Sequence, residues 1–137
     1  KNKDMNTKDD YNEIKNNKNK IISEEVLIKH SWKEIRTLMW DYVGIVRSND
    51  RLIKAKSRIL LFKKEIEESF DNNEISSDLI ELRNLVYIAE IIIESALQRK
   101  ESRGLHYNID YPETLSTAQD TIININNEIL SKKYQEK

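Results

Sequence analysis

No cysteine occurs in the 137 residues, so neither a disulfide framework nor a thiolate metal site is open to this chain. Glycine occurs only at Gly44 and Gly104, far apart. Dinucleotide loops and phosphate cradles need clustered glycines for close backbone approach, and both are excluded. Histidine occurs only at His30 and His106, which match no zinc spacing, so only carboxylates brought near in the fold would complete a metal site. Charge of one sign is not in excess either: 23 basic side chains face 24 acidic ones. A nucleic-acid or anionic-membrane surface needs a basic surplus, so neither partner is expected, nor is a metal. No apolar run approaches the length a bilayer requires, and no charged-then-apolar leader opens the chain. A Ser-His-Asp triad can be drawn from so many serines and aspartates that it carries no information. The expectation is a soluble intracellular protein without a self-sufficient active site.

What remains is helical patterning over a thin core. Hydrophobic residues make up 38% and charged ones 34%, which leaves a domain of this size a marginal interior. Residues 1–22, rich in Lys and Asn, read as a disordered or linker segment. The opening on Lys1 fits a fragment of something longer. The expected fold is all-α, a three-helix bundle of the up-down-up, spectrin-repeat kind. Residues 23–112 form the bundle plus a docking loop, and 113–137 form an irregular tail.

Ser31 and Glu34 have capping-box spacing, so the first helix is expected to start there. Trp32, Ile35, Leu38, Met39, Tyr42, Val43 and Val46 mark its inner face, and Trp40 falls off it. Gly44 within the pattern signals close helix packing or room for a partner backbone. Ser48-Asn49-Asp50 is a turn and a fresh cap. The second helix runs to about Phe70, with Leu52, Ala55, Ile59, Phe62 and Ile66 inward. Its charge run, Arg51 to Glu68, reads as a solvated face. A third helix, expected to be the longest, starts at Asp78, capped with Glu81, and runs to about Ser102. Leu79, Leu82, Leu85, Val86, Ala89, Ile92, Ile93, Ala96 and Leu97 lie in its broad stripe. Arg83-Asn84 reads as an exposed flank. Thr121 to Ile125 is read as a short strand or a bound extended segment.

The strip from Arg99 to Pro112 is the unusual part. It holds Arg99, Arg103, Gly104, His106, Tyr107, Tyr111 and the single proline. Gly104 suits the left-handed position after a helix. The charged and aromatic groups fit a loop that docks on another domain, or a charged pair facing a ligand held elsewhere.

Two segments carry a resemblance. Met39-Trp40-Asp41-Tyr42-Val43-Gly44-Ile45-Val46-Arg47 resembles the first bundle helix of L-aspartate oxidases. Arg99-Lys100-Glu101-Ser102-Arg103-Gly104-Leu105-His106-Tyr107, followed by Asp110-Tyr111-Pro112, resembles their last helix and the loop after it. Glu81-Leu82-Arg83-Asn84-Leu85 fits between them in collinear order. The flavoprotein subunits of succinate dehydrogenase and fumarate reductase are similar. Leu105 before His106 and Glu113 after Pro112 favour the oxidase. The resemblance implies a whole enzyme that binds FAD and oxidises L-aspartate to iminoaspartate, with oxygen or fumarate as acceptor, in the cytoplasm or a plastid. It implies that quinolinate synthase receives the imine. The flavin and capping domains, which carry the family's cofactor contacts and catalytic residues, are not in this chain, so no catalytic or FAD-binding residue maps onto it, and it is expected to be inactive alone. Trp40, Arg99, Arg103, His106, Tyr107 and Tyr111 are then expected to face the flavin domain. The remaining readings are the equivalent domain of a dicarboxylate dehydrogenase and a free-standing helical adaptor.

Overall fold

Five elements follow one another in the computed structural model, which describes residues 7–72 and 75–123. They are α1 (Thr7–Val43), β1 (Val46–Arg47), α2 (Asn49–Asn72), α3 (Ser77–Gln98) and β2 (Tyr107–Asn108). The bundle is all-α apart from the two short strands. α1 is the longest helix and α3 the shortest, the reverse of the expected order. Ser31 lies inside α1 and caps nothing. No proline or glycine interrupts the chain before Gly44, and Lys29–Glu25 and His30–Glu34 pairs span successive turns. Helical backbone therefore runs back to Thr7, through most of the stretch read as disordered or linker; residues 1–6 lie outside the described residues. Packing against the bundle is seen from Ile28 onward.

Gly44 follows the last turn of α1. A Cβ there would sit 2.7 Å from the Trp40 carbonyl oxygen. The glycine thus lets the chain fold against its own helix end, which replaces both expectations for it. Arg47 then turns back, and its Nε donates to the Val43 and Gly44 carbonyls at 3.1 and 2.9 Å. A guanidinium on orphan carbonyls at a helix C-terminus is favoured by hydrogen bonding and by the helix dipole. Ser48 starts α2 directly afterwards, its Oγ accepting from the Arg51 N–H.

Ser76, not Asp78, caps α3: its Oγ accepts from the Leu79 N–H at 3.2 Å. The helix also stops short of Ser102. Arg99 is extended and serves as the C-cap, so Gly104 has no helix to end. The core matches the three inner stripes except at Val46 and at Ile92, which is exposed on α3. Ile35, Leu38, Val43, Leu52, Ala55, Ile59, Ile66, Leu79, Leu82, Val86, Ala89, Ile93 and Ala96 are buried. A fully buried Ile or Leu contributes about 1.5–3 kcal/mol. Val46, expected on the inner face of the first helix, is instead exposed on β1.

The charge run on α2 is not simply solvated. Lys56–Glu94 and Lys63–Glu90 close at 2.6 Å across to α3, and Arg83 meets Glu67 at 2.6 Å. Arg83 also stacks over Phe70, so it is no exposed flank, whereas Asn84 is exposed. These pairs, with Tyr87 donating to Glu67, fix α2 and α3 antiparallel and in register. Removing one member of such a pair strands the other charge, so each is costly to break. Among the described residues no helix is long and apolar enough to cross a membrane. Thr121 to Ile123 form no strand; the rest of that expected segment lies outside the described residues.

Candidate docking surface

The strip after α3 is held by polar groups pointing inward. Arg103 and His106 exchange backbone hydrogen bonds at 2.9 and 3.1 Å. Gly104, at φ 60, makes the tight turn between them. Positive φ at the first central position alone is the pattern of a type II′ turn, where glycine carries no Cβ penalty. From there β2 lies parallel to β1, with Val46 opposite Tyr107 and Arg47 opposite Asn108.

Asn108 is the centre of the clamp and is wholly buried. Its Nδ2 donates to Asn49 Oδ1, and its Oδ1 accepts from the Asp110 N–H. Its backbone N–H donates to Ser102 Oγ, which in turn donates to the Tyr111 carbonyl at 2.7 Å. Asp110 accepts from the Asn49 N–H at 2.6 Å, placing a carboxylate at the N-terminus of α2, where the dipole favours it. Asn49 Nδ2 reaches the Tyr111 hydroxyl. Sequence reasoning singled out none of Asn49, Ser102, Asn108 and Asp110 as a site residue. Polar residues in a loop read as solvated, and only their burial distinguishes them.

Glu101 is the second anchor. Its Oε2 accepts from Arg103 Nε and from the Leu115 N–H, both at 3.0 Å. Burial of the carboxyl opposes its charge. The Leu115 N–H, Arg103 and the nearby Arg99 outweigh that, and the carboxyl titrates below its ordinary 4.5. The folded value is the lower one, so the stability it contributes is complete above the ordinary glutamate range. It is lost as pH falls through the folded value. Glu101→Gln is therefore expected to flatten the acid limb of a stability-versus-pH curve measured by urea denaturation. An unchanged acid limb would remove Glu101 from this role.

The expected docking residues separate into two groups. Arg99, Arg103, His106 and Tyr111 are tied within the fold. Arg99 donates to Thr121 Oγ1 and the Gln119 carbonyl, and Arg103 donates to the Leu115 carbonyl at 2.6 Å. They hold the start of the irregular tail against the strip. His106 Nδ1 accepts from Arg47 Nη1 at 2.7 Å, which leaves the ring proton on Nε2. Burial and the charges of Arg47 and Arg99 lower its pKa, against weaker help from the Arg99 backbone and Glu101; the ring is neutral at pH 7. Trp40 and Tyr107 are open to solvent, Trp40 by 83%.

Beside these two, the exposed groups form a pattern. Leu105, Tyr107 and Ile109 alternate along the strip and are 82%, 43% and 54% exposed. Val46 on the neighbouring strand and Ile45 just before it are exposed too. An ordinary surface strand turns its apolar side inward. Here the polar alternates, Asn108 above all, are inside and the apolar ones outside. A parallel pair is normally covered on both faces, and a contiguous apolar patch of this kind marks an interaction surface. The period-two alternation of Leu105, Tyr107 and Ile109 was the signal in the sequence. Among the described residues no cluster of His, Asp and Glu could hold a metal. Gly44 and Gly104 are both committed to turns.

A family model described as the fumarate reductase flavoprotein C-terminus matches residues 32–125. An L-aspartate oxidase of Pseudomonas aeruginosa is 58% identical over 100 residues, which are 73% of this chain and 19% of that protein. L-aspartate oxidase 1 of Ralstonia nicotianae is 50% identical over 111 residues, 81% of this chain and 21% of that protein. A chloroplastic L-aspartate oxidase 2-a of Nicotiana tabacum is 41% identical over 90 residues, 62% of this chain and 14% of that protein. The chain spans about a fifth of the length of the first of these relatives.

Proposed function

Because this chain belongs to the fumarate reductase flavoprotein C-terminal family, we propose that it is the C-terminal helical domain of an FAD-dependent L-aspartate oxidase. In this reading it packs on the flavin and capping domains and has no activity alone. FAD, bound outside this chain, takes the two electrons removed when L-aspartate becomes iminoaspartate and passes them to oxygen or fumarate. Quinolinate synthase would receive the imine. The setting is the cytoplasm, or a plastid where the source has one. The reading is supported by relatives named L-aspartate oxidase at 50–58% identity. The single structural observation that carries the packing role is the outward apolar face of Ile45, Val46, Leu105, Tyr107 and Ile109.

Arg99, Arg103, His106 and Tyr111 then act by shaping the loop, while Trp40 and Tyr107 touch the neighbouring domain. The test is co-expression with the flavin-containing N-terminal part of an L-aspartate oxidase. The two should co-purify, and the complex should oxidise L-aspartate. Leu105→Asp with Tyr107→Asp should weaken association about 100-fold, as expected for two central apolar anchors. A chain that stays apart from the flavin part, or that binds equally well with both aspartates, would overturn the reading. The description of the matching family favours one alternative, the same domain in a dicarboxylate dehydrogenase. A complex that oxidises succinate and retains an iron–sulfur subunit would select it.

A further inference from the structure

Six basic side chains in the described fold are half-buried: Arg47, Lys56, Lys63, Arg83, Arg99 and Arg103. Four have a carboxylate within 4.0 Å: Glu94 for Lys56, Glu90 for Lys63, Glu67 for Arg83 and Glu101 for Arg103. Arg47 and Arg99 have none among the described residues. These two line one cleft of about 270 Å³, walled by Ile91, Ile92, Ala96 and His106.

Their hydrogen bonds go to neutral acceptors. Arg47 uses Nε on two carbonyls and Nη1 on His106, and Arg99 uses Nε on Thr121 and Nη2 on Gln119. Arg47 Nη2 and Arg99 Nη1 are left without an acceptor among the described residues. His106, on the same wall, keeps a buried Nε2 that makes no well-formed hydrogen bond, the Arg99 backbone being its nearest support. Burial disfavours the charge of Arg47, and the carboxylate near Arg99, Glu101, is already taken by Arg103 and the Leu115 N–H; guanidinium geometry matches a further carboxylate. The isoleucine and alanine wall suits a short aliphatic stem, and the volume suits a small acid.

We propose that this cleft is a carboxylate site, taking an acid group on a short methylene stem. The source is a free small dicarboxylate or an Asp or Glu side chain of a neighbouring domain. This assignment does not depend on the apolar face being a docking surface, because it rests on separate residues.

The test uses the full chain, first unaltered and then with one substitution. NMR follows both histidine rings while sodium succinate or sodium acetate is added at constant ionic strength. His106 is flanked by Arg47 from β1 and by Arg99 and Glu101 from the strip. A bound acid should raise its pKa saturably by about half a unit or more. His30, exposed and outside the cleft, should not follow. Succinate binding ten-fold tighter than acetate identifies a free dicarboxylate; equal binding identifies a protein carboxylate. Ile92→Glu, which supplies an acid from the cleft wall, should raise the His106 pKa unaided and suppress the succinate response at least five-fold. No saturable change at His106 with either acid, or an equal change at His30, would overturn the site. Loss of the docking reading alone would leave this result untouched.

Discussion

Asn108→Leu is expected to cost about 2–4 kcal/mol of unfolding free energy, although the two side chains have similar volume. Leucine fits the space but offers neither donor nor acceptor. Asn49 Oδ1 would lose the donor at 3.3 Å, and the Asp110 N–H would lose the acceptor at 3.1 Å. Both groups would then be stranded beside a wholly buried position. The Asp110 carboxylate, which accepts from the first N–H of α2, is positioned by the same turn and would loosen with it. Urea denaturation measures the total. Amide exchange at Ile109, whose N–H donates to the Arg47 carbonyl at 2.9 Å, measures the local part. Wild-type protection at Ile109 in the variant would show that Asn108 does not hold the strip.

Ile93→Ala is expected to be at least as damaging, through a different cause. Ile93 is fully buried on α3 within the core cluster. Truncation removes apolar burial and leaves a cavity, together about 2–5 kcal/mol. Domains of this size lose roughly 4–8 °C of melting temperature per kcal/mol, so a fall on the order of 10–20 °C should be seen by circular dichroism. Ile88→Ala on the same helix is the control. Ile88 is 55% exposed, and its loss should stay within about 1 kcal/mol. Equal falls for both variants would mean that α3 is not oriented as described.

The sequence announced the core more clearly than the ends of the helices. Ile35, Leu52, Ile59, Val86 and Ile93 recur at helical spacing, and period alone places them. Helix starts were read from cap spacing, and that is where Ser31 and Asp78 misled. A serine with an acid three residues on is a cap only if the chain before it departs from the helix. Nothing before Ser31 forces that departure, and Ser76 was nearer the true start of α3. At the strip, Gly104 and the aromatics gave away its importance but not its construction. The hydrogen bonds of Arg99 and Arg103 within the fold are not legible in the sequence, because exposed charge is the default. Glu101 and Ser102 are covered by residues 103–115 of the strip and tail, and Asn108 by β1 and Asn49; no local pattern reports a partner as distant in the chain as the last two.

That distance has a consequence for how the domain assembles. The hairpin of α2 and α3 joins residues close in sequence, while every bond between Arg47 or Asn49 and residues 106–111 closes a span of 59 to 62 positions. Wide spans carry a larger loop-closure entropy and form slowly. The helical hairpin is therefore expected to form first, with the strand pair the last seam to shut and the first to reopen.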